Sequence, residues 1–426
     1  MDRGLAPRVT LRSVLTWSFV ATSLIGCASV SPRERETVVP APVLAAYLAD
    51  KPEPLHPHYS MVLVQGPRNA VLNEMRSGLA SYELGGLDAA TRSFDRVLNG
   101  IEAIYADNAD AKKARELFTR ESYKDFKGEP YERAMAYYYR GLLYMNEGDY
   151  QNARASFKGG ILQDAFAEEE QNRADFALLI FLEGWASHCA GDPGLARESF
   201  AEVTNLKSEF AAPGPDDNVL VIVETGSAPV KYADGPKRQL LRYRRGEGVE
   251  ETGARIEVAG DTRPAFAIED VYFQASSRGG RPVEYILEGK AKFKEGTETA
   301  ATVGKTLGLA TALAGLAAGN RNVALAGAGI VALGFIAEGI ASTMKPEADA
   351  RYWDNLPDKV HVLVLSLPAQ ALGVRAEILD GAGEPIAGLA KTAQVKFSGR
   401  CGLAWMRSRT AVPGDVRAPG TVTRPQ

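Results

Sequence analysis

The chain has 426 residues, of which 45% are hydrophobic and 24% are charged, which is typical of folded protein with room for two or three domains. A formal net charge of −4, without any cluster of basic and aromatic residues, argues against a nucleic-acid-binding function. The three cysteines are too few for a disulfide-stabilised scaffold.

Residues 1–26 have the parts of a bacterial lipoprotein signal peptide. Three arginines (3, 8 and 12) precede an apolar stretch at 14–26, which is too short to span a bilayer core of ~30 Å. The stretch ends in Leu24-Ile25-Gly26-Cys27, the pattern of a lipobox, and predicts cleavage before Cys27 and a palmitate-containing lipid on its thiol. The alternative is an ordinary signal peptide with an accidental cysteine. By resemblance to lipoproteins of diderm bacteria that lack an aspartate here, we expect the periplasmic face of the outer membrane.

Residues 27–68 are predicted to form an extended tether. Seven prolines lie between 28 and 67, and the segment has little periodicity. His56 and His58 flank Pro57, but no further metal ligands are near, so a solvated linker is expected instead of a metal site.

Residues 69–212 show a helical pattern that repeats three times. In each repeat a glycine is followed by a second glycine after seven residues, an alanine after five more and a phenylalanine after four more. This spacing resembles the tetratricopeptide repeat, in which small residues let two antiparallel helices approach and the aromatic ring fills the gap. The first glycines lie 63 and 43 residues apart, which predicts an inserted helix near 107–120. A generic helical bundle is the alternative. The three sets are Gly78, Gly85, Ala90 and Phe94; Gly141, Gly148, Ala153 and Phe157; Gly184, Gly191, Ala196 and Phe200.

The repeats predict a candidate groove for a partner. In a tetratricopeptide superhelix the first helix of each repeat lines the concave face, and here that face would be apolar, aromatic and methionine-rich. Such a surface suits an amphipathic helix or an extended peptide. The alternative is that the protein's own insert or C-terminal chain fills the groove. The predicted groove residues are Leu72, Met75, Leu79, Tyr82, Met135, Tyr138, Leu142, Met145, Leu178, Phe181, Trp185 and His188.

From residue 213 the pattern changes to short strands. Alternating or β-branched runs predict a β-rich, sandwich-like domain over 213–299 and 346–407, followed by a flexible tail at 408–426. Cys189 and Cys401 remain after lipidation, and the sequence leaves open whether they pair or stay as buried thiols. The predicted strands lie at 219–223, 254–258, 265–274, 283–293, 361–367, 374–379 and 393–405.

An Ala/Gly-rich segment at 300–345 interrupts the strands. Between 300 and 343, 21 of 44 residues are alanine or glycine, including two GxxxG pairs. Because glycine costs about 1 kcal/mol per helical position, this composition favours close helix packing and predicts a helical hairpin that turns at Asn320-Arg321-Asn322. The hairpin could pack on the β-rich domain, insert in a bilayer or mediate homo-oligomerisation.

The sequence contains no pattern that indicates catalysis. Its four histidines (56, 58, 188 and 361) are scattered, and no HExxH, CxxC, GxSxG or GxxxxGK[ST] motif occurs. We therefore expect no enzymatic activity, no metal and no cofactor.

Two further motifs carry a resemblance. The run GEPYERAMAYYYRGLLY at 128–144, followed by Gly148-Asp149-Tyr150, and the run YWDNLP at 352–357 resemble, together with the lipobox, a family of uncharacterised bacterial lipoproteins with tetratricopeptide-like repeats. The resemblance covers most of the chain and supports the layout, but it implies no activity.

The expected fold class is α+β and multidomain: tetratricopeptide-like helical repeats, then a sandwich-like β-rich domain with an inserted Ala/Gly-rich hairpin. The expected function is a non-catalytic periplasmic scaffold or adaptor lipoprotein that binds a protein partner and no nucleic acid. The alternative is a membrane-active or self-associating envelope component that uses the glycine-rich hairpin.

Overall fold

The computed structural model describes residues 36–105, 125–165, 175–234, 240–278, 281–282, 349–369 and 372–412. Several predictions lie outside these described residues: the lipid-bearing Cys27, the inserted helix at 107–120, the strand at 283–293 and the hairpin at 300–345. The described part combines helices with a β-sheet, so the α+β class is confirmed.

The segment predicted as an extended tether is helical over much of its length. It forms α1 (Ala41–Leu48), a 3-10 turn (Glu53–Leu55) and α2 (His56–Val64). The prediction is wrong here because each element begins with a proline in its first turn, where the missing N–H costs no hydrogen bond. Leu55 and Tyr59 are buried against Ala80, so the segment packs on the next helix.

Three helix pairs follow. They are α3 (Pro67–Glu83) with α4 (Leu87–Tyr105), α5 (Pro130–Glu147) with α6 (Tyr150–Ala165), and α7 (Ala177–Ala190) with α8 (Pro193–Leu206). The turns within the pairs contain glycines with positive φ, namely Gly85 (76°), Gly148 (77°) and Gly191 (84°). An L-residue rarely adopts this conformation, which explains why the pattern requires glycine there.

The predicted glycine–phenylalanine contacts are confirmed in all three pairs. A Cβ atom added at Gly78 would lie 3.2 Å from the ring of Phe94, and one added at Gly184 would lie 2.8 Å from the ring of Phe200. At Gly141 the added atom would overlap the ring of Phe157. The first helix of each pair therefore needs a glycine where the ring of the second helix crosses it.

The strands form one main sheet. Its members are β1 (Val219–Thr225), β4 (Gly253–Val258), β5 (Asp261–Asp270), β8 (Lys359–Leu365), β9 (Gly373–Leu379), β10 (Lys391–Gln394), β11 (Lys396–Ser398) and β12 (Cys401–Arg407). The order is β10-β9-β4-β5-β8-β1-β12-β11, with β1 and β12 parallel and the other neighbours antiparallel. Two small antiparallel ladders lie outside it: β2 (Val230–Asp234) with β3 (Leu240–Arg244), and β6 (Ser277–Arg278) with β7 (Arg281–Pro282).

The main sheet is barrel-like. β10 and β11 lie at opposite ends of the strand order, although only Val395 separates them in the chain. One bent segment therefore pairs with β9 at its start and with β12 at its end, and this brings the two edges of the sheet together. The sheet closes on itself instead of stacking on a second sheet as the predicted sandwich would.

Two segment boundaries differ from the predictions. The strand predicted at 265–274 ends at Asp270, because Oδ1 of Asp270 accepts a hydrogen bond from the backbone N of Phe273 (2.9 Å) and caps α9 (Val271–Ser276). The tail predicted from residue 408 is packed as far as 412: Ala411 is buried, and its backbone N donates to Glu83 Oε2.

The two faces of the sheet contribute to different cores. Along β1, Val221 and Val223 point into the barrel interior, whereas Leu220 and Ile222 join the core of the helical layer. This alternation follows from the two-residue period of a strand. Helices and sheet therefore share a core, and from residue 36 onward they belong to one compact unit.

Candidate functional site

The structure brings the predicted groove residues together, but in the interior. Eleven of the twelve are at most 6% exposed and belong to the core that the helices share with the sheet. His188 is the exception: it is half-buried, and its Nε2 lies 2.7 Å from the backbone O of Asp217. The ring centroid of Tyr82 lies 4.7 Å from that of Trp405 on β12. The open groove is thus a wrong prediction, and the alternative, that the C-terminal chain fills it, agrees with the structure.

A buried carboxylate lies where the helices meet the sheet. Glu224, at the end of β1, accepts hydrogen bonds from Tyr138 Oη (3.0 Å) and Trp405 Nε1 (2.9 Å) at Oε1, and from Tyr139 Oη (3.0 Å) at Oε2. Arg407 Nε lies 3.3 Å from Oε2. β1 and β12 are parallel with Glu224 opposite Arg407, which places both side chains on the face covered by α5. We call these five residues the Glu224 cluster.

The electrostatics of the Glu224 cluster favour a structural role. Burial raises the pKa of Glu224, and the nearby Arg407 guanidinium opposes that shift. Burial, reinforced by the neighbouring carboxylate, also raises the pKa of Tyr138 and of Tyr139 well above the ordinary value. Both phenols therefore stay protonated as hydrogen-bond donors. Four of these residues are buried and Trp405 is partly buried, and together they join α5 to two strands.

A second buried carboxylate, Glu132, lies at the start of α5. Its Oε2 accepts from the backbone N of Glu129 (2.6 Å) in a capping box, and its Oε1 accepts from the backbone N of Trp353 (2.6 Å). Burial raises the pKa of Glu132 to about 7, while the charge of Lys231 opposes the shift. Lys231 Nζ in turn lies 2.7 Å from Glu129 Oε1.

The two sequence motifs that carry the family resemblance meet at this point. Trp353 is fully buried, with ring centroids 5.7 Å from Tyr139 and 6.1 Å from Phe94. The motif at 352–357 thus closes the N-terminal end of the helix formed by the motif at 128–144. Packing and helix capping therefore explain the aromatic and acidic residues of these two motifs.

Glu269 is a third buried carboxylate, and none of the three was predicted as a site residue from the sequence. Glu269 on β5 accepts from the backbone N of Leu178 (3.2 Å), in the first turn of α7, and from Gln274 Nε2 (3.1 Å). Burial raises the pKa of Glu269 to about 8. In sequence it is one acidic residue in a predicted strand, 91 residues from Leu178. No local signal could have identified it.

The structure resolves the question of the cysteines. Cys189 near the end of α7 and Cys401 at the start of β12 form a disulfide across a sequence separation of 212 residues. The bond joins the last helix pair to the sheet. Neither local sequence predicted this pairing, because the fold alone brings the two residues together.

The histidines lie apart in the described structure. His56 Nε2 lies 3.2 Å from the backbone O of Lys51, and buried His361 Nε2 lies 3.1 Å from Thr225 Oγ1. Burial lowers the pKa of His361 to about 4, so its ring is neutral at ordinary pH. Within the residues that the structure describes, no three His, Cys, Asp or Glu side chains are grouped to hold a metal ion.

Comparison with known proteins finds no matching family model, no matching curated protein and no matching solved structure. None of the helices in the described ranges combines the length and hydrophobicity needed to span a bilayer. The function proposed below is therefore inferred from the residues and their contacts.

Proposed function

We propose that the protein is a non-catalytic scaffold lipoprotein of the bacterial envelope, anchored through Cys27 at the periplasmic face of the outer membrane and binding a protein partner. The Cys189–Cys401 disulfide is the observation that carries this proposal. Structural disulfides persist in oxidising compartments such as the periplasm and are rare in the cytosol. The disulfide therefore supports the export that the lipobox predicts.

The buried polar residues support a scaffold. Glu224 and Glu269 each accept hydrogen bonds that hold a helix to a strand of the sheet. Glu132 accepts a hydrogen bond that holds the start of α5 to Trp353. A buried carboxylate that is hydrogen-bonded on both oxygens favours one arrangement of its surroundings over others. Such a network suits a protein whose task is to present a fixed surface.

The helix pairs are proposed to be tetratricopeptide-like repeats whose concave face is occupied by the protein's own sheet. The glycine–phenylalanine contacts in three successive pairs support this. Because the concave face is filled, a partner would bind to surfaces outside it. This differs from a repeat protein that receives a peptide in an open groove.

A membrane-active or self-associating component is the second candidate. One observation favours it: residues 349–351, which follow the Ala/Gly-rich segment, lie close to the first described residues of the chain. Arg351 Nη1 donates to the backbone O of Arg68, and Thr37 N donates to the backbone O of Val64, four residues earlier. Both parts of the chain thus reach the junction of α2 and α3.

The lipid anchor can be tested by labelling with radioactive palmitate in a diderm bacterium. Replacement of Cys27 by Ala should abolish the label, whereas Cys401→Ser, which removes the disulfide and keeps the lipobox, should retain it. Before reduction, Cys189 and Cys401 should resist alkylation by a maleimide reagent. Equal palmitate incorporation in the Cys27→Ala protein would refute the lipoprotein assignment.

Fractionation separates the two candidate functions. A scaffold held only by its lipid should become soluble when Cys27 is replaced by Ala, whereas a protein that inserts in the bilayer should remain with membranes. Crosslinking in intact cells, followed by mass spectrometry, would then identify the partner of the anchored protein.

A further inference from the structure

Helix α1 presents an apolar face to solvent. All eight of its residues, APVLAAYL, are uncharged and none is buried. Val43 is 53% exposed, and Val38, just before the helix, is 93% exposed. A helix this apolar normally buries at least one side against its own protein. The exposed face therefore needs an explanation.

Contacts with the rest of the protein fix the orientation of α1. Tyr47 Oη donates a hydrogen bond to Glu74 Oε1 on α3 (3.0 Å). The Tyr47 ring packs edge-on against the ring of Tyr59 on α2, with 6.5 Å between the ring centroids. Leu44 and Leu48 are half-buried on the same side as Tyr47, while the outer side is exposed. The protein thus holds α1 with a defined apolar face outward, formed by Pro42, Val43, Ala45 and Ala46.

The position of α1 along the chain suggests what covers this face. Glu36, the first described residue, lies nine residues after Cys27. Nine residues span at most about 30 Å, since an extended chain covers about 3.3–3.6 Å per residue. A lipid on Cys27 would therefore keep Glu36 within about 30 Å of the bilayer surface, and α1 begins five residues further along the chain.

This proximity makes a weak apolar contact effective. An amphipathic helix that lies in the interface binds in proportion to its buried apolar area, and eight residues provide little. When a short linker already holds the helix at the surface, the contact becomes intramolecular, at an effective concentration of about millimolar. The lipid then supplies the affinity, and α1 needs only to supply orientation.

We infer that α1 is a membrane-docking helix whose exposed face rests on the bilayer that holds the lipid of Cys27 and fixes the orientation of the body on that membrane. The inference rests on the proposed lipid anchor.

Depth-dependent fluorescence quenching tests the inference with the full lipidated protein. The variants Val43→Cys and Leu195→Cys would each carry an environment-sensitive fluorophore in vesicles of phosphatidylethanolamine and phosphatidylglycerol that contain a doxyl-labelled lipid. Leu195 is the control because it is 37% exposed on α8, which packs on α7 in the last of the three helix pairs, whereas α1 packs on α2. Both sites are on the surface, so the labels should leave the melting temperature unchanged.

We expect the label at position 43 to be quenched several-fold more than the label at 195, with a blue-shifted emission. Equal quenching in protein that carries palmitate would overturn the inference and leave the lipoprotein proposal intact. An unquenched label at position 43 would also overturn the inference if the unlabelled Val43→Cys variant instead crosslinked to a second copy of the chain. Protein without palmitate would refute the anchor, and the docking inference with it.

Discussion

The barrel interior and the helix–sheet interface use opposite faces of the same strands, yet they differ in chemistry. The interior is lined with aliphatic side chains, of which Val221, Ile256 and Ile378 are fully buried. The interface carries aromatic rings and the Glu224 cluster. In the interior, shape and hydrophobicity suffice because each strand is already positioned by its neighbours. At the interface, the helical layer and the sheet must meet in one relative position, and directional hydrogen bonds specify that position.

This difference predicts how each region responds to substitution. An aliphatic core tolerates substitution by a side chain of similar volume, which usually lowers the free energy of unfolding by less than about 1.5 kcal/mol. A buried network behaves differently, because removing one member leaves its partners unsatisfied.

The largest effect is expected at Trp185, which the sequence placed in an open groove. Trp185 is fully buried in the core that the helices share with the sheet, so Trp185→Ala should lower the free energy of unfolding by about 3–5 kcal/mol, measured by urea denaturation. Its Nε1 has no hydrogen-bond partner among the described residues, so Trp185→Phe should cost much less. A small change for Trp185→Ala would show that the sheet does not cover the helices in solution.

The groove prediction failed for a physical reason that the sequence could not reveal. The glycine, alanine and phenylalanine spacing predicted the helix pairs and their contacts correctly, because these depend on residues less than 20 positions apart. Whether the concave face stays open depends on what lies elsewhere in the chain. An apolar concave face and an apolar sheet face both lower their free energy by burying each other.

A pH effect of intermediate size is expected from Glu269. Burial raises its pKa to about 8 from a model-peptide value of 4.5, so the folded protein binds a proton that the unfolded chain releases in this range. The contribution of Glu269 to the free energy of unfolding should therefore fall as pH rises from about 4.5 to 8, by an amount on the order of a few kcal/mol, whereas the lowered pKa of His361 acts in the opposite direction between about 4 and 6.5. Glu132, with a pKa raised to about 7, contributes in the same direction as Glu269.

The substitution Glu269→Gln isolates this contribution. Glutamine keeps an acceptor for the backbone N of Leu178 and carries no charge, so the variant should lose much of the pH dependence and gain stability at pH 8 relative to the native protein. Asp261→Asn is the control, since Asp261 lies on the same strand and is fully exposed. If Glu269→Gln and the control give the same pH profile, Glu269 is ionised in the folded protein at neutral pH.

The strands were easier to predict than the way they close. β1, β4, β8 and β9 overlap the predicted segments, because alternation and β-branched residues are local signals. The segment predicted at 393–405 is three strands, since the chain bends at Val395 and reverses at Gly399, which has a φ of 68°. Closure depends on that bend and on pairings between strands distant in the chain. Composition could not distinguish a barrel from a sandwich.

The smallest effects come from a matched pair of substitutions that each remove one heavy atom from a fully buried residue. Tyr139→Phe removes the donor to Glu224 Oε2 at the interface, and Ile256→Val removes a methyl group from the barrel interior. The first should cost about 1–3 kcal/mol, because a buried carboxylate oxygen loses a hydrogen bond, and the second about 0.5–1.5 kcal/mol. Paired urea titrations measure both. If Tyr139→Phe costs no more than Ile256→Val, the Glu224 cluster does not specify how the helices dock, and aliphatic packing accounts for both regions.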